Sequence, residues 1–303
     1  MPSSTDLDHS LHRGKPGGGA EQNGSAAASH SRARSGEPKR LFCWSGGGFQ
    51  GLDVHAGIWL ALEEAGITAD ANAGTSAGAI VAAMNSQGYG PATAAAIVSG
   101  LRDRDVRRER LFWRLRIRFI DHFLVPDPLR HLLAEYLPST FSALVKPCTV
   151  HCTCDTSAGA VQMDNGDLRR AVLASAAIAG VFPPVPGPGG VMLSDGGTTA
   201  NLPLPHHWDE YEEVWLLIAK APLEYRPARQ SILYRLIRNY QLLVEDQVND
   251  TIALARASHP HVHVVRPAVR SGGGMLRFDH GLIEQAYRWT QVCLRQGGGR
   301  RDG

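Results

Sequence analysis

No apolar run in this 303-residue chain approaches the roughly 18 residues that a bilayer-spanning helix requires, so membrane helices are not expected. Residues 1–39 are rich in Ser, Gly, Ala, His and Arg and hold no hydrophobic h-region, so no secretory signal is expected in them. Cysteine is scarce. The five present (Cys43, Cys148, Cys152, Cys154 and Cys293) are an odd number, which argues against a disulfide framework and for a reducing, cytoplasmic compartment. Net charge is small, +2 at pH 7 with a pI near 8.3, which implies no general nucleic-acid surface; electrostatic attraction must come from local patches. Internal repeats and long linkers are also lacking.

What remains suffices for one sizeable domain, since 43% of the residues are hydrophobic. Residues 1–39 lack apolar periodicity and read as a disordered tail, and the Gly- and Arg-containing residues 297–303 read as a flexible one. The folded body is expected over residues 40–296. Residues 41–44 read as a buried strand, followed by a glycine loop and a helix carrying Val54, Ile58, Leu60, Ala61 and Leu62, with Gly66 as its stop. A second strand over 67–73 leads into a small-residue helix through Met84. Strand, loop, helix, strand, helix is the order of an open α/β sheet. Further strands are expected over 148–154, 191–194, 213–218 and 261–265. Asp127-Pro128 and Asp167 read as helix starts.

Three motifs carry chemistry. Gly74-Thr75-Ser76-Ala77-Gly78 has the G-x-S-x-G spacing of a nucleophile elbow, in which a strained serine needs small neighbours. Small-residue runs also occur where a helix packs closely on a sheet, so other residues must decide. The loop Gly46-x-Gly48-x-x-Gly51 follows a strand and opens a helix. It fits a dinucleotide fingerprint, with Asp70 as the ribose-binding acid. It equally fits an oxyanion hole, in which the N–H groups of Gly46, Gly47 and Gly48 converge on a developing charge. A helix N-terminus serves either role. Ser76 after the very next strand favours the oxyanion hole, because parallel neighbours would set loop and elbow side by side. Asp195 ends an apolar strand, with Gly196 and Gly197 freeing its approach, and is the best-placed carboxylate for a base. His206, His207 and His259 follow it in the Ser-Asp-His order of ordinary α/β-hydrolases, so a triad competes with direct use of the aspartate. His151-Cys152-Thr153-Cys154 invites a metal reading, but its alternation is that of a strand and no second ligand pair has zinc-site spacing.

In this order the three motifs resemble the patatin-like phospholipases, lipid acyl hydrolases that use a Ser-Asp dyad, in a bacterial-type single-domain form. The resemblance spans most of the body. It includes Ala174-Ser175-Ala176-Ala177-Ile178 and Val181-Phe182-Pro183-Pro184-Val185 shortly before the aspartate, and more weakly residues 278–286 as a closing helix. It implies a three-layer α/β/α fold with a mostly parallel central sheet. Ser76 would attack the acyl carbonyl, Asp195 would take its proton, and Gly46, Gly47 and Gly48 would hold the oxyanion. Gly51, Gly74, Gly78, Gly196 and Gly197 would support these motifs. The implied substrate is a lipid ester, with phospholipid the first expectation, and neither metal nor organic cofactor is implied. One position departs from the pattern: Gln50 stands where the family usually has a basic residue, which removes a charge near the loop. A nucleotide-binding protein built on the 46–51 loop, and a weakly active lipid-binding or regulatory member, remain as alternatives.

Residues 102–118 hold eight arginines against three acids, interleaved with Leu111, Phe112, Trp113, Leu115 and Ile117, and Phe119 follows. This segment, from Arg102 to Phe119, suits peripheral contact with an anionic membrane surface. A solvated cap over the cleft, or a strand with one wet face, would show the same pattern. No nucleic-acid partner is expected.

Overall fold

The computed structural model describes residues 37–106, 108–109, 124–219, 232–271 and 276–296. The elements in chain order are β1 (Arg40–Trp44), α1 (Gly48–Glu64), β2 (Ala71–Thr75), α2 (Ala77–Gln87), α3 (Pro91–Gly100), the short α4 (Asp103–Val106), β3 (Arg108–Glu109), β4 (Leu124–Val125), α5 (Asp127–Tyr136), β5 (Cys148–Cys154), β6 (Gly159–Met163), α6 (Leu168–Ser175), β7 (Val185–Pro186), β8 (Met192–Asp195), α7 (Gly197–Ala200), β9 (Glu213–Leu217), α8 (Ile232–Ser258), β10 (Val262–Val265) and α9 (Gly281–Arg295). Among the described residues, strands β3 and β4 form a separate two-stranded sheet.

The central sheet runs β10-β9-β1-β2-β5-β8-β7, with β6 on β5 as well. From β10 to β5 every pairing is parallel, whereas β6 and β8 pair with β5, and β7 with β8, in the antiparallel sense. The fold is therefore α/β, with a mixed, mostly parallel sheet flanked by helices. Continuous apolar runs are what strands covered on both faces require. Phe42, Trp44, Val150, Cys152, Trp215 and Leu217 enter the core shared with α1, α2 and α6. Leu41, Cys43, Ala71, Ala73, Val214 and Leu216 enter a second core, against Val244, Val248 and Ala255 of α8. One core per face gives the three layers.

Buried polar side chains fix the register where the sheet meets α2. Trp44 Nε1 donates to Asn72 Oδ1 at 2.9 Å, and Asn72 Nδ2 donates to Asn85 Oδ1 at 3.0 Å and to Ser86 Oγ at 2.9 Å. Satisfying these groups together joins β1, β2 and α2, because any slip would orphan a buried amide. Asp167 caps α6 as expected, its Oδ1 accepting the Arg170 N–H at 2.9 Å. β2 begins four residues later than the spacing suggests. Ile67 N–H still bonds back to Leu62, and Asp70 bonds both ways to the Arg40 backbone, so residues 67–70 form the approach to the strand.

Residues 1–36 and 297–303, the bulk of the expected tails, lie outside the described residues, as do Arg107 and residues 110–119 of the basic segment. Arg102 is described, and it is committed locally: its guanidinium donates to the carbonyls of Ser99, Gly100 and Leu101, closing the end of α3.

Helix α9 packs flush on α1 at Gly57, where a Cβ would stand 2.2 Å from the Ile283 carbonyl oxygen and 2.9 Å from Ala286 Cβ. Gly57→Ala should therefore force the two helices apart and destabilise the fold by about 1–3 kcal/mol, read as a lowered midpoint in thermal or denaturant unfolding. An unchanged midpoint would contradict this packing.

Candidate active site

One edge of β5 is taken by β6 along Val150, His151, Cys152, Thr153 and Cys154. The other edge is divided. It carries β2 as far as the pair His151–Thr75, and from the next residue it carries β8, beginning at the pair Cys152–Asp195. β2 and β8 therefore run toward each other along a single edge and meet at neighbouring β5 residues. Ser76 leaves the end of one and Asp195 ends the other. Gly196 makes the junction possible, since a Cβ there would come within 2.2 Å of the His151 carbonyl oxygen.

Ser76 is one of the non-glycine residues at positive φ (54°), between the end of β2 and the start of α2, and it is buried. This is the strained turn a nucleophile elbow needs. The flanking glycines are explained by contact. A Cβ on Gly74 would lie 2.4 Å from the Gly78 carbonyl oxygen, and one on Gly78 would lie 2.2 Å from that of Trp44. The Ser76 N–H donates to Ser175 Oγ at 2.9 Å, and Ser175 in turn donates to the His151 carbonyl at 2.5 Å. The elbow is thus tied to β5 through α6.

Asp195 is buried. Its Oδ1 accepts the Gly197 N–H at 2.7 Å, while no hydrogen bond of ordinary geometry reaches Oδ2. Burial pushes its pKa up to about 6; the nearby Ser76 hydroxyl and the Gly197 N–H act in the opposite direction but do not cancel the rise. A carboxylate with this pKa and a free oxygen beside a serine hydroxyl can act as a general base near neutral pH.

The glycine loop follows β1, the parallel neighbour of β2, with Trp44 opposite Gly74. The positions a Cβ would take on Gly46 and the Cβ of Ser76 are 3.5 Å apart, so loop and elbow are adjacent. The loop root is held from below. Ser45 N–H donates to Leu217, Ser45 Oγ accepts the Ala219 N–H, and buried His55 donates Nε2–H to the Ser45 carbonyl at 2.8 Å. Burial lowers the His55 pKa to about 4, so this ring is a neutral strut. The expectation for Gly46 is corrected: its N–H donates to the Asn201 carbonyl at 2.9 Å and is committed there. The N–H groups of Gly47 and Gly48 meet no acceptor among the described residues, and they lie at the N-terminus of the 17-residue α1. Gly48 has φ 64°, which only glycine adopts without strain.

A family model described as patatin-like phospholipase matches residues 42–207, from β1 past the Asp195 turn. The chain belongs to the patatin-like phospholipase family. An uncharacterized NTE family protein of Mycobacterium tuberculosis is 34% identical over 164 residues, 52% of this chain and 26% of that protein, so the chain spans about a quarter of that relative's length. Among solved structures, VipD from Legionella pneumophila is similar with a TM-score of 0.49 and 14% identity, covering 86% of this chain and 67% of its own. ExoU in complex with SpcU, from the type III secretion system of Pseudomonas aeruginosa, gives 0.41 and 15%, covering 86% and 52%.

Other residues singled out in the sequence stand elsewhere in this patatin-like framework. His259 bonds to the Tyr211 carbonyl, which precedes β9 and so lies at the end of the parallel strands remote from the elbow. His207 is exposed and pairs with Glu210, and His206 is exposed, with its N–H on Gln162. Asp70 sits at the N-terminal end of β2, whereas a ribose-binding acid belongs at the end next to the glycine loop. Among the described residues no cluster of three or more His, Cys, Asp or Glu could hold a metal ion. Cys152 and His151 point to opposite faces of β5, and Cys152 Sγ donates to the Ala171 carbonyl. Gln50 Nε2 donates to Ser271 Oγ at 2.7 Å. Sequence reasoning missed the roles of Ser175 and Asn201, although Ser175 lies in a stretch that resembles the family.

The raised Asp195 pKa has a cost in stability. The native state binds this proton more tightly than the unfolded chain, so the contribution of Asp195 to stability falls as pH rises from the ordinary aspartate value of 3.8 to about 6. Asp195→Asn, which keeps an acceptor for the Gly197 N–H, should be more stable than the parent above pH 6, by up to about 3 kcal/mol, and the difference should vanish toward pH 4. Thermal melts of both proteins across this range check it.

Proposed function

We propose that the chain is a serine acyl hydrolase that cleaves carboxylic ester bonds of lipids through Ser76 and Asp195. The observation that carries this reading is the head-on meeting of β2 and β8 on β5, which sets a strained serine beside a buried, half-satisfied carboxylate. Asp195 accepts the Ser76 proton as Oγ attacks the ester carbonyl, and the tetrahedral oxyanion is received by the N–H groups of Gly47 and Gly48. Asp195 returns the proton to the leaving alcohol. Water, deprotonated by the same carboxylate, then releases the acid from the acyl-enzyme. With Gln50 engaged at Ser271, stabilisation of the oxyanion rests on backbone dipoles rather than on a side-chain charge.

Family membership supports a lipid ester as the substrate class, with phospholipid as the first choice. No helix among the described residues is long and apolar enough to cross a membrane, so a bilayer-resident substrate would be met at the surface, with the 102–119 segment as the basic, aromatic contact.

A fluorophosphonate probe should label the parent and fail to label Ser76→Ala, which should lose turnover of short-chain esters by several orders of magnitude. His206→Ala, His207→Ala and His259→Ala should each stay within a fewfold of the parent. An unlabelled parent would defeat the hydrolase reading, and a collapse in one histidine variant would replace the dyad by a triad.

A further inference from the structure

Helix α6 ends in a turn that is bonded to the backbone of both proposed dyad residues. Ser175 is the last residue of the helix, and Ala176 and Ala177 follow it. The Ser175 hydroxyl accepts the Ser76 N–H at 2.9 Å, and the Ala177 carbonyl accepts the Asp195 N–H at 2.9 Å. One turn of chain therefore holds the nucleophile with a side chain and the base with its main chain.

The position calls for a hydroxyl. Thr75 is the last residue of β2 paired with β5, opposite His151, and in a parallel ladder the next N–H is drawn to a carbonyl of the neighbouring strand. Here the Ser175 oxygen stands in that bond, accepting from Ser76 and donating to the His151 carbonyl at 2.5 Å. Both directions are fixed by the partners, because a backbone N–H can only donate and a carbonyl can only accept. The inserted oxygen holds the Ser76 backbone away from β5 just where the chain must turn out of the sheet, at φ 54° and ψ −120°. On its other side Ser76 is held by α2, its carbonyl accepting the Ala79 N–H at 3.0 Å. Ser175 is fully buried, so solvent does not compete for either bond. Backbone strain of this kind persists only where the surroundings impose it.

Resting on the hydrolase reading above, we propose that Ser175 is a positioning residue of the dyad, whose hydroxyl fixes the backbone turn from which the Ser76 hydroxyl is presented to Asp195. It touches neither the substrate nor the reacting atoms and acts through the Ser76 N–H. Removing the hydroxyl strips a partner from a buried N–H and from a buried carbonyl, and it lets the serine relax from its turn. Asp195 keeps its place. Its N–H on Ala177, its carbonyl on Thr153 Oγ1 and its Oδ1 on the Gly197 N–H involve no atom of the Ser175 side chain. The loss therefore falls on attack by Ser76, and substrate binding and the ionisation of the base are left as they were.

The test compares Ser175→Ala with the parent in three respects: the rate of fluorophosphonate modification across pH, the end point of that modification, and kcat and KM on a short-chain ester. The modification rate and kcat should fall by about thirtyfold, because a misplaced nucleophile loses its attack geometry, while KM stays within about threefold. The pH midpoint should match that of the parent, and the whole sample should still be labelled at the end point. A rate constant equal to the parent's overturns the proposal, even if the variant melts earlier or is labelled only in part, since Ser175 then serves the fold alone. A raised KM at unchanged kcat, or a shifted midpoint, overturns it as well. If Ser175→Ala fails to fold, Ser175→Cys keeps the shape with a weaker donor and acceptor and should slow modification by about fivefold or more. Modification of that variant at the parent's rate overturns the proposal equally. Labelling of the parent separates the two levels: an unlabelled parent sinks the hydrolase reading and this proposal together, whereas a labelled parent with an equally fast variant sinks only the role of Ser175.

Discussion

The divided edge of β5 is the constraint on which the site depends. Thr75 and Asp195 pair with adjacent residues of one strand, so the serine after Thr75 and the aspartate itself are placed by backbone register rather than by flexible loops. A slip of one residue in either β2 or β8 would turn every side chain of that strand to the other face. The surrounding bonds oppose such a slip. Asn72 is locked to Trp44, Asn85 and Ser86, Ser175 bridges the Ser76 N–H to His151, and Thr153 Oγ1 donates to the Asp195 carbonyl.

Around this junction the charges are arranged by backbone and burial. Helix α2 begins at the residue after Ser76, and α1 begins at Gly48 in the loop that adjoins it, so the positive dipole ends of two helices lie in the segments that flank the serine. Opposite them stands one carboxylate with a raised pKa and an unfilled oxygen. The strain at Ser76 and the buried charge at Asp195 both work against folding, and the two apolar cores on either side of the sheet offset them. The imidazoles at this level, His55 and His151, are pushed down to about 4 by burial and are neutral at pH 7. Within the described structure His55 is a strut for the loop, and His151 contributes its carbonyl.

Local signals carried most of the architecture. The apolar runs over 41–44 and 213–218, the alternation through Cys148–Cys154 and the glycine spacing of the elbow each reflect a neighbour one strand or one turn away, and these elements stand where the spacing puts them. Steric need explains why the motif glycines were readable: at 74, 78 and 196 a Cβ would collide with backbone. What could not be read was set by contacts far apart in sequence. That Asp195 arrives antiparallel, that Asn201 consumes the Gly46 N–H, that Asp70 lies at the wrong end of β2, and that α8 brings Gln247 to the Asn201 N–H all depend on strand order and helix docking. The hairpin of β5 with β6 went unnoticed for a related reason, since its turn residues are also ordinary loop residues.

The claim most exposed to measurement is that a carboxylate activates the serine with no histidine between them. The pH dependence of the rate at which a fluorophosphonate modifies Ser76 addresses it directly, because no leaving-alcohol or product-release step intervenes. The account predicts a single rising step with a midpoint near 6, the pKa of buried Asp195, and its disappearance together with most of the rate in Asp195→Asn. A step that persists in Asp195→Asn, or one that is abolished by replacing a histidine, would contradict it.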